Sequence, residues 1–230
     1  MSLEPDFWKK QLGEGWSAIL ADLLSSEYAD KLLNKLNEEY KRTTVYPKKS
    51  EVFRAFKETP WENLRMVILD REPYQDGKAT GLAFANKFNP NNLTLSPSLR
   101  EIEKLHQRYE IEHSHFVFDS SMASWAEQGI LLLNTTLTIE KGNTESHTKY
   151  WKKFTEEVLK TIAEWRPDCI FMLWGNHAKS FKPLIKNCNV LENIHPNYAV
   201  NCKLDWKCPN FDQANKILED ANGPEYKILW

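Results

Sequence analysis

The chain has 230 residues, of which 27% are charged and 41% hydrophobic, the balance of a soluble globular protein large enough to bury a core. Its net charge of −2 argues against a protein that coats nucleic acid through bulk positive charge, while leaving room for a local basic face. There is no apolar run of about 18 residues to span a membrane. Met1-Ser2-Leu3-Glu4-Pro5-Asp6 lacks the basic-then-apolar order of a signal peptide, so a cytoplasmic protein is expected. Cys169, Cys188, Cys202 and Cys208 form no C-x-x-C pair, and nothing in their spacing requires a disulfide or zinc.

In chain order, residues 5–45 carry apolar positions at helical spacing. One stripe is Trp16, Ile19, Leu20, Leu23 and Leu24; another is Leu32, Leu33 and Leu36. Two helices are predicted there. Val52, Phe53, Phe56 and Trp61 predict a short helix before the first strand. Four apolar runs read as buried strands: Met66–Leu69, Ile130–Leu133, Cys169–Trp174 and Val190–Ile194. Helices are predicted between and after them. The first starts at Ser96-Pro97, with serine as N-cap and proline at the first helical position, and runs to about Tyr109. Others cover Trp151 to Trp165, Ala178 to Lys186, and Phe211 to Asn222, the last ended by Gly223-Pro224. Phe88 to Leu95 reads as loop, and the tail from Glu225 to Trp230 is expected to pack onto the surface. Alternating strands and helices predict an α/β fold: a three-layer sandwich, one domain over residues 1–230, with a central four-stranded parallel twisted sheet between helices.

Every predicted strand ends in polar or unusual residues: Asp70-Arg71-Glu72-Pro73-Tyr74, Asn134-Thr135-Thr136, Trp174-Gly175-Asn176-His177 and His195-Pro196-Asn197. In a parallel sheet these ends share one edge, where ligands bind. Taken singly, each has a plainer reading. Glu72 serves equally well as a surface carboxylate in a turn, and Asn134 as a cap for the next segment. His195 before proline reads as a turn histidine, Tyr74 and Phe84 as core residues, and Ser146-His147 as a helix cap. A carboxylate, an amide, a histidine and two rings converging on one edge is the informative signal.

Together these segments resemble the family 1 uracil-DNA glycosylases. That family's water-activating loop, Gly-Gln-Asp-Pro-Tyr-His-Gly then Gly-Leu-Ala-Phe-Ser, is similar to Asp70-Arg71-Glu72-Pro73-Tyr74-Gln75-Asp76 and Gly81-Leu82-Ala83-Phe84-Ala85. Its proline-serine loop resembles Ser96-Pro97-Ser98-Leu99, its uracil-reading strand Leu131-Leu132-Leu133-Asn134, and its Ser-His pair Ser146-His147. Its His-Pro-Ser-Pro-Leu-Ser is reduced to His195-Pro196-Asn197-Tyr198-Ala199-Val200. The resemblance runs collinearly over roughly residues 40 to 220.

It implies a monomeric glycosylase of base-excision repair. The enzyme would act on uracil flipped out of single- or double-stranded DNA, with no metal and no cofactor. Glu72 would activate the water that attacks C1′, and His195 would donate to uracil O2 as charge builds on the departing base. Asn134 would read N3–H and O4, Phe84 would stack on the ring, and Tyr74 would crowd C5 against thymine's methyl group. Arg71, where this chain departs from the family, would pair with Glu72 or Asp70 and hold the carboxylate from water, or would grip a phosphate or an altered base. Ser98, Ser146, His147 and Asn197 would lie along the DNA, with Tyr198 as a wedge in place of the family's leucine. The departures fall in the water-activating and wedge motifs. Glu72 is one methylene longer than the family's aspartate, a displacement of about 1 Å that costs roughly 10²-fold if uncompensated. Asp70-Arg71 replaces a small neutral pair, and the loop before Gly81 is one residue shorter. The alternative implied is an impaired homologue that binds DNA, a modified base or a protein.

Overall fold

The computed structural model describes residues 7–87, 95–113 and 118–230, with side chains left undescribed over 108–113. Most of the Asn-rich segment predicted as loop lies outside the described residues. The elements run in order α1 (Phe7–Leu12), α2 (Glu14–Ile19), α3 (Ala21–Leu24), α4 (Glu27–Arg42), β1 (Val45–Tyr46), α5 (Arg54–Glu58) and β2 (Met66–Asp70). There follow α6 (Pro97–His113), α7 (Ala123–Glu127), β3 (Ile130–Asn134), β4 (Ile139–Glu140) and α8 (Thr148–Trp165). The chain closes with β5 (Ile170–Trp174), α9 (Gly175–Lys179), β6 (Asn189–Asn193), α10 (Pro196–Asn201) and α11 (Asn210–Asn222).

The four predicted strands form one parallel sheet in the order β3-β2-β5-β6, flanked by helices. A two-stranded antiparallel pair, β1 with β4, stands apart from it. Strands β2, β3 and β5 are buried along nearly their whole length, which is why they read as unbroken apolar runs; β6, at the edge, is more exposed. From β2 the chain adds β3 on one side and then crosses to add β5 on the other. The strand order therefore reverses between β2 and β5, and a ligand crevice belongs at their carboxyl ends. Asp70 and Trp174 stand at those two ends.

Two aromatic clusters hold helices to one another, mostly through edge-on contacts. Trp16, Phe53, Phe56, Trp151 and Phe154 join α2, α5 and α8. Trp125, Phe211 and Trp230 join α7, α11 and the C-terminal tail. The tail packs onto the surface as predicted, leaving Tyr226 and Leu229 exposed. Ile228 and Trp230 are buried, and the Asn215 and Gln128 side chains bond the backbone of Ile228 and Leu229 as strand neighbours would.

Two helix predictions need correction. The first predicted helix is three short ones. Gly13, at φ 87°, interrupts the chain before α2, and Leu20 leaves helical geometry before α3. The helix predicted over Ala178 to Lys186 ends at Lys179, with a separate 3₁₀ turn at Lys182–Leu184, because Pro183 has no N–H for an α-helical ladder.

Candidate active site

The site is built where β2 ends. Gly81 sits at φ 87°, and a Cβ there would lie 1.9 Å from the Glu51 carbonyl oxygen, so the loop admits only glycine. Beyond it the Ala83 N–H donates to the Leu132 carbonyl at 3.0 Å, tying the loop to β3. Phe84 adopts φ 65°, uncommon for a residue with a side chain, and its ring lies 5.4 Å from Trp174 and 5.8 Å from the His195 imidazole. The Tyr74 hydroxyl bonds the Phe84 carbonyl at 3.1 Å and the Ser96 hydroxyl at 2.6 Å. Ser96 Oγ in turn accepts from Leu99 N at 3.2 Å and caps α6, as its position in the sequence predicts. Both rings are thus clamped from two directions.

Asn134 ends β3 directly opposite Asp70. It is 5% exposed, and its Oδ1 is buried with no partner among the described residues. Such an acceptor is costly to leave unpaired, so its site invites a donor from a ligand. Tyr74, Phe84 and Asn134 line one narrow crevice together with Asp70, Glu72 and Gly81. Asp70 and Glu72 also line an outer cleft of about 620 Å³, shared with Arg71, Gly175, His177, His195, Asn197 and Tyr198.

His195 has a fixed tautomer. Its Nδ1 accepts from Asn197 N at 3.1 Å at the start of α10, so the ring proton resides on Nε2. Nε2 donates to Asp70 Oδ1 at 3.2 Å. The same Oδ1 accepts from the Arg71 N–H at 2.7 Å. Glu72 Oε2 accepts from Glu145 N at 2.9 Å, and the Arg71 guanidinium pairs with the Glu145 carboxylate. Burial pushes the Glu72 carboxyl up from its ordinary value and the Asp70 charge adds to this, while Arg71 and Gln75 oppose it.

Residues 56–219 match the family model described as the uracil DNA glycosylase superfamily. The chain belongs to that superfamily. It is 35% identical over 227 residues to a uracil-DNA glycosylase of Fusobacterium nucleatum, covering 96% of each chain. It is 36% identical over 230 residues to one of Bacillus cereus, covering 96% of this chain and 97% of that one. The fold is similar to the crystal structure of mimivirus uracil-DNA glycosylase, with a TM-score of 0.80 at 21% identity over 94% of this chain and 86% of the other.

Against that family background, the predicted residues divide into three groups. Arg71, Glu72, Tyr74, Phe84, Asn134, His195, Asn197 and Tyr198 converge on the crevice and cleft. Ser98 lies buried in the first turn of α6, which packs against α10, and Ser146 Oγ accepts from Glu140 N at 3.0 Å. His147 is not brought to the cleft. It is 1% exposed, its Nδ1 pairs with Thr138 Oγ1 at 2.9 Å, and desolvation pushes its pKa down against the nearby Glu39 charge. Its imidazole therefore belongs to the core, out of reach of a phosphate.

Two cleft residues were given no role by sequence reasoning. Asp70 engages His195 across 125 positions of chain. His177 pairs through Nε2 with Thr135 Oγ1 at 2.7 Å, and burial, with the Arg71 charge, lowers its pKa. Both sit at predicted strand ends, which was the available signal. Among the described residues no three His, Cys, Asp or Glu side chains form a metal cluster, and no helix is long and apolar enough to cross a membrane.

Proposed function

We propose that this protein hydrolyses the N-glycosidic bond of uracil flipped out of DNA, leaving an abasic site, the opening step of base-excision repair. The observation that carries the reading is the buried, unpartnered Asn134 Oδ1 at the head of a crevice walled by Phe84 and Tyr74. Uracil N3–H satisfies that oxygen, and the amide N–H₂ of the same side chain donates to O4. Cytosine offers an acceptor at N3 and a donor at the fourth position, so it leaves both ends of Asn134 mispaired. Phe84 stacks on the base, and the doubly anchored Tyr74 stands at C5 against a methyl group.

The reaction then follows from charge. As the bond to C1′ breaks, positive charge grows on the sugar and negative charge on the base. Glu72, ionised, orients the water, takes its proton and faces the sugar cation. The Nε2–H of His195 donates to uracil O2 as the base departs. Asn197 and Ser98 lie along the strand, Ser146 supports the neighbouring loop, and Arg71 reaches a phosphate on leaving Glu145. Tyr198, 56% exposed on α10, fills the gap left by the flipped base. The chain acts as one domain and as a monomer.

Asp70 on His195 and Glu145 on Glu72 favour a second reading, binding of such a base without its release. Oligonucleotides bearing one uracil, one thymine or one cytosine separate the two. Alkali-labile sites form at uracil alone, and Asn134→Ala lowers that rate by about 10²-fold or more. Equal release of cytosine, or retention of uracil at high enzyme concentration, contradicts the proposal.

A further inference from the structure

Asp70 Oδ1 accepts two hydrogen bonds, from Arg71 N at 2.7 Å and from His195 Nε2 at 3.2 Å. A backbone N–H and an imidazole N–H converging on one oxygen is the donor arrangement of an oxyanion hole. The His195 donor has no spare proton for a second acceptor, because Nδ1 is committed to accepting from Asn197 N. The side chain of Asp70 is 14% exposed, so this contact is largely screened from solvent. Asp70 also lines both the crevice that holds Asn134 and the outer cleft. Its carboxylate therefore stands at the boundary between them.

We propose that Asp70 gates the carbonyl-oxygen subsite of this site. Its carboxylate occupies the two donors that would hold the base's carbonyl oxygen, so a base enters only by displacing it. The inference rests on the glycosylase reading for the identity of the base. The outer cleft of about 620 Å³ gives the displaced carboxylate somewhere to turn, toward the side of Arg71 and His177. A neutral carbonyl competes poorly with a carboxylate for N–H donors, because charge-assisted hydrogen bonds are roughly twice as strong as neutral ones. A base carrying developing negative charge on that oxygen competes far better. The contact thus penalises ground-state binding, and its removal strengthens capture of the free base.

The test is the affinity of the intact protein for free uracil, measured by calorimetric titration on wild type, Asp70→Asn and Asp70→Gly. Single-turnover uracil release is followed in parallel. Asp70→Gly is expected to bind uracil about tenfold tighter or more, with Asp70→Asn intermediate. Unchanged, weaker or undetectable uracil binding in both variants overturns the proposal. Asp70→Asn, nearly the same in shape, serves if Asp70→Gly fails to fold. The two readings fail separately. Tighter uracil binding with no release from any form sinks the glycosylase and keeps the role of Asp70. Brisk release by wild type with uracil affinity unaltered in the variants does the reverse.

Discussion

Glu72 is where the proposed chemistry and the electrostatics of the site meet. Burial raises its pKa, the neighbouring Asp70 charge raises it further, and Arg71 and Gln75 only partly oppose them. A general base works in its ionised form. A raised pKa therefore moves the acid limb of the rate upward from the ordinary glutamate range. As pH falls through that pKa the carboxyl takes a proton, can no longer accept one from water, and release declines about tenfold per pH unit. Glu72 was legible in the sequence through its place in the Asp70–Tyr74 loop. Its bond to Glu145 N, 73 residues away, was not, since nothing local to either residue encodes it.

At the scale of elements, the turn from β5 into α9 sets the position of His195. Gly175 lies at φ 84°, and a Cβ there would meet His195 Cβ at 2.8 Å. Gly175→Ala is expected to cost about 1–2 kcal/mol through left-handed backbone strain, read as a lower urea midpoint. Uracil release should fall by about tenfold or more beyond that loss, because the imidazole is pushed off its aim. Release unchanged in a folded variant would show that His195 is not held from this side. The strands were legible because β2, β3 and β5 are buried on both faces and leave unbroken apolar runs. The helices were less so where a single residue breaks them, as Gly13 and Pro183 do. Short elements such as α7 and α10 carry too few turns to show a period. His147 was misplaced because a Ser-His pair in sequence does not tell which of the two faces solvent; the fold turns the ring onto Thr138.

For the whole molecule, a net charge of −2 must be reconciled with a polyanionic substrate. Both cations lining the cleft among the described residues face a carboxylate, Arg71 that of Glu145 and Lys179 that of Glu192, which Lys182 also shares. Few phosphates can then be neutralised at once. The logarithm of kcat/KM on duplex DNA is expected to fall with the logarithm of salt concentration with a slope of about −2 to −3, one contact contributing about −0.9. A slope of about −6 or steeper would reveal a cationic face that this arrangement does not provide. Capture then depends more on the crevice than on the field around it. The sheet-edge location of that crevice was legible, since four strand ends carried its residues. Its internal pairing was not, because Asp70 and His195 meet only once β2 and the segment after β6 are side by side.

Water activation by Glu72 is tested most directly by the pH dependence of single-turnover uracil release, on wild type and Glu72→Gln. In the wild type the acid limb is expected above the ordinary glutamate range. In the variant the rate is expected to be lower by about 10²-fold or more, with that limb gone. A variant that releases uracil as fast as wild type, or keeps the same limb, would show that another group activates the water.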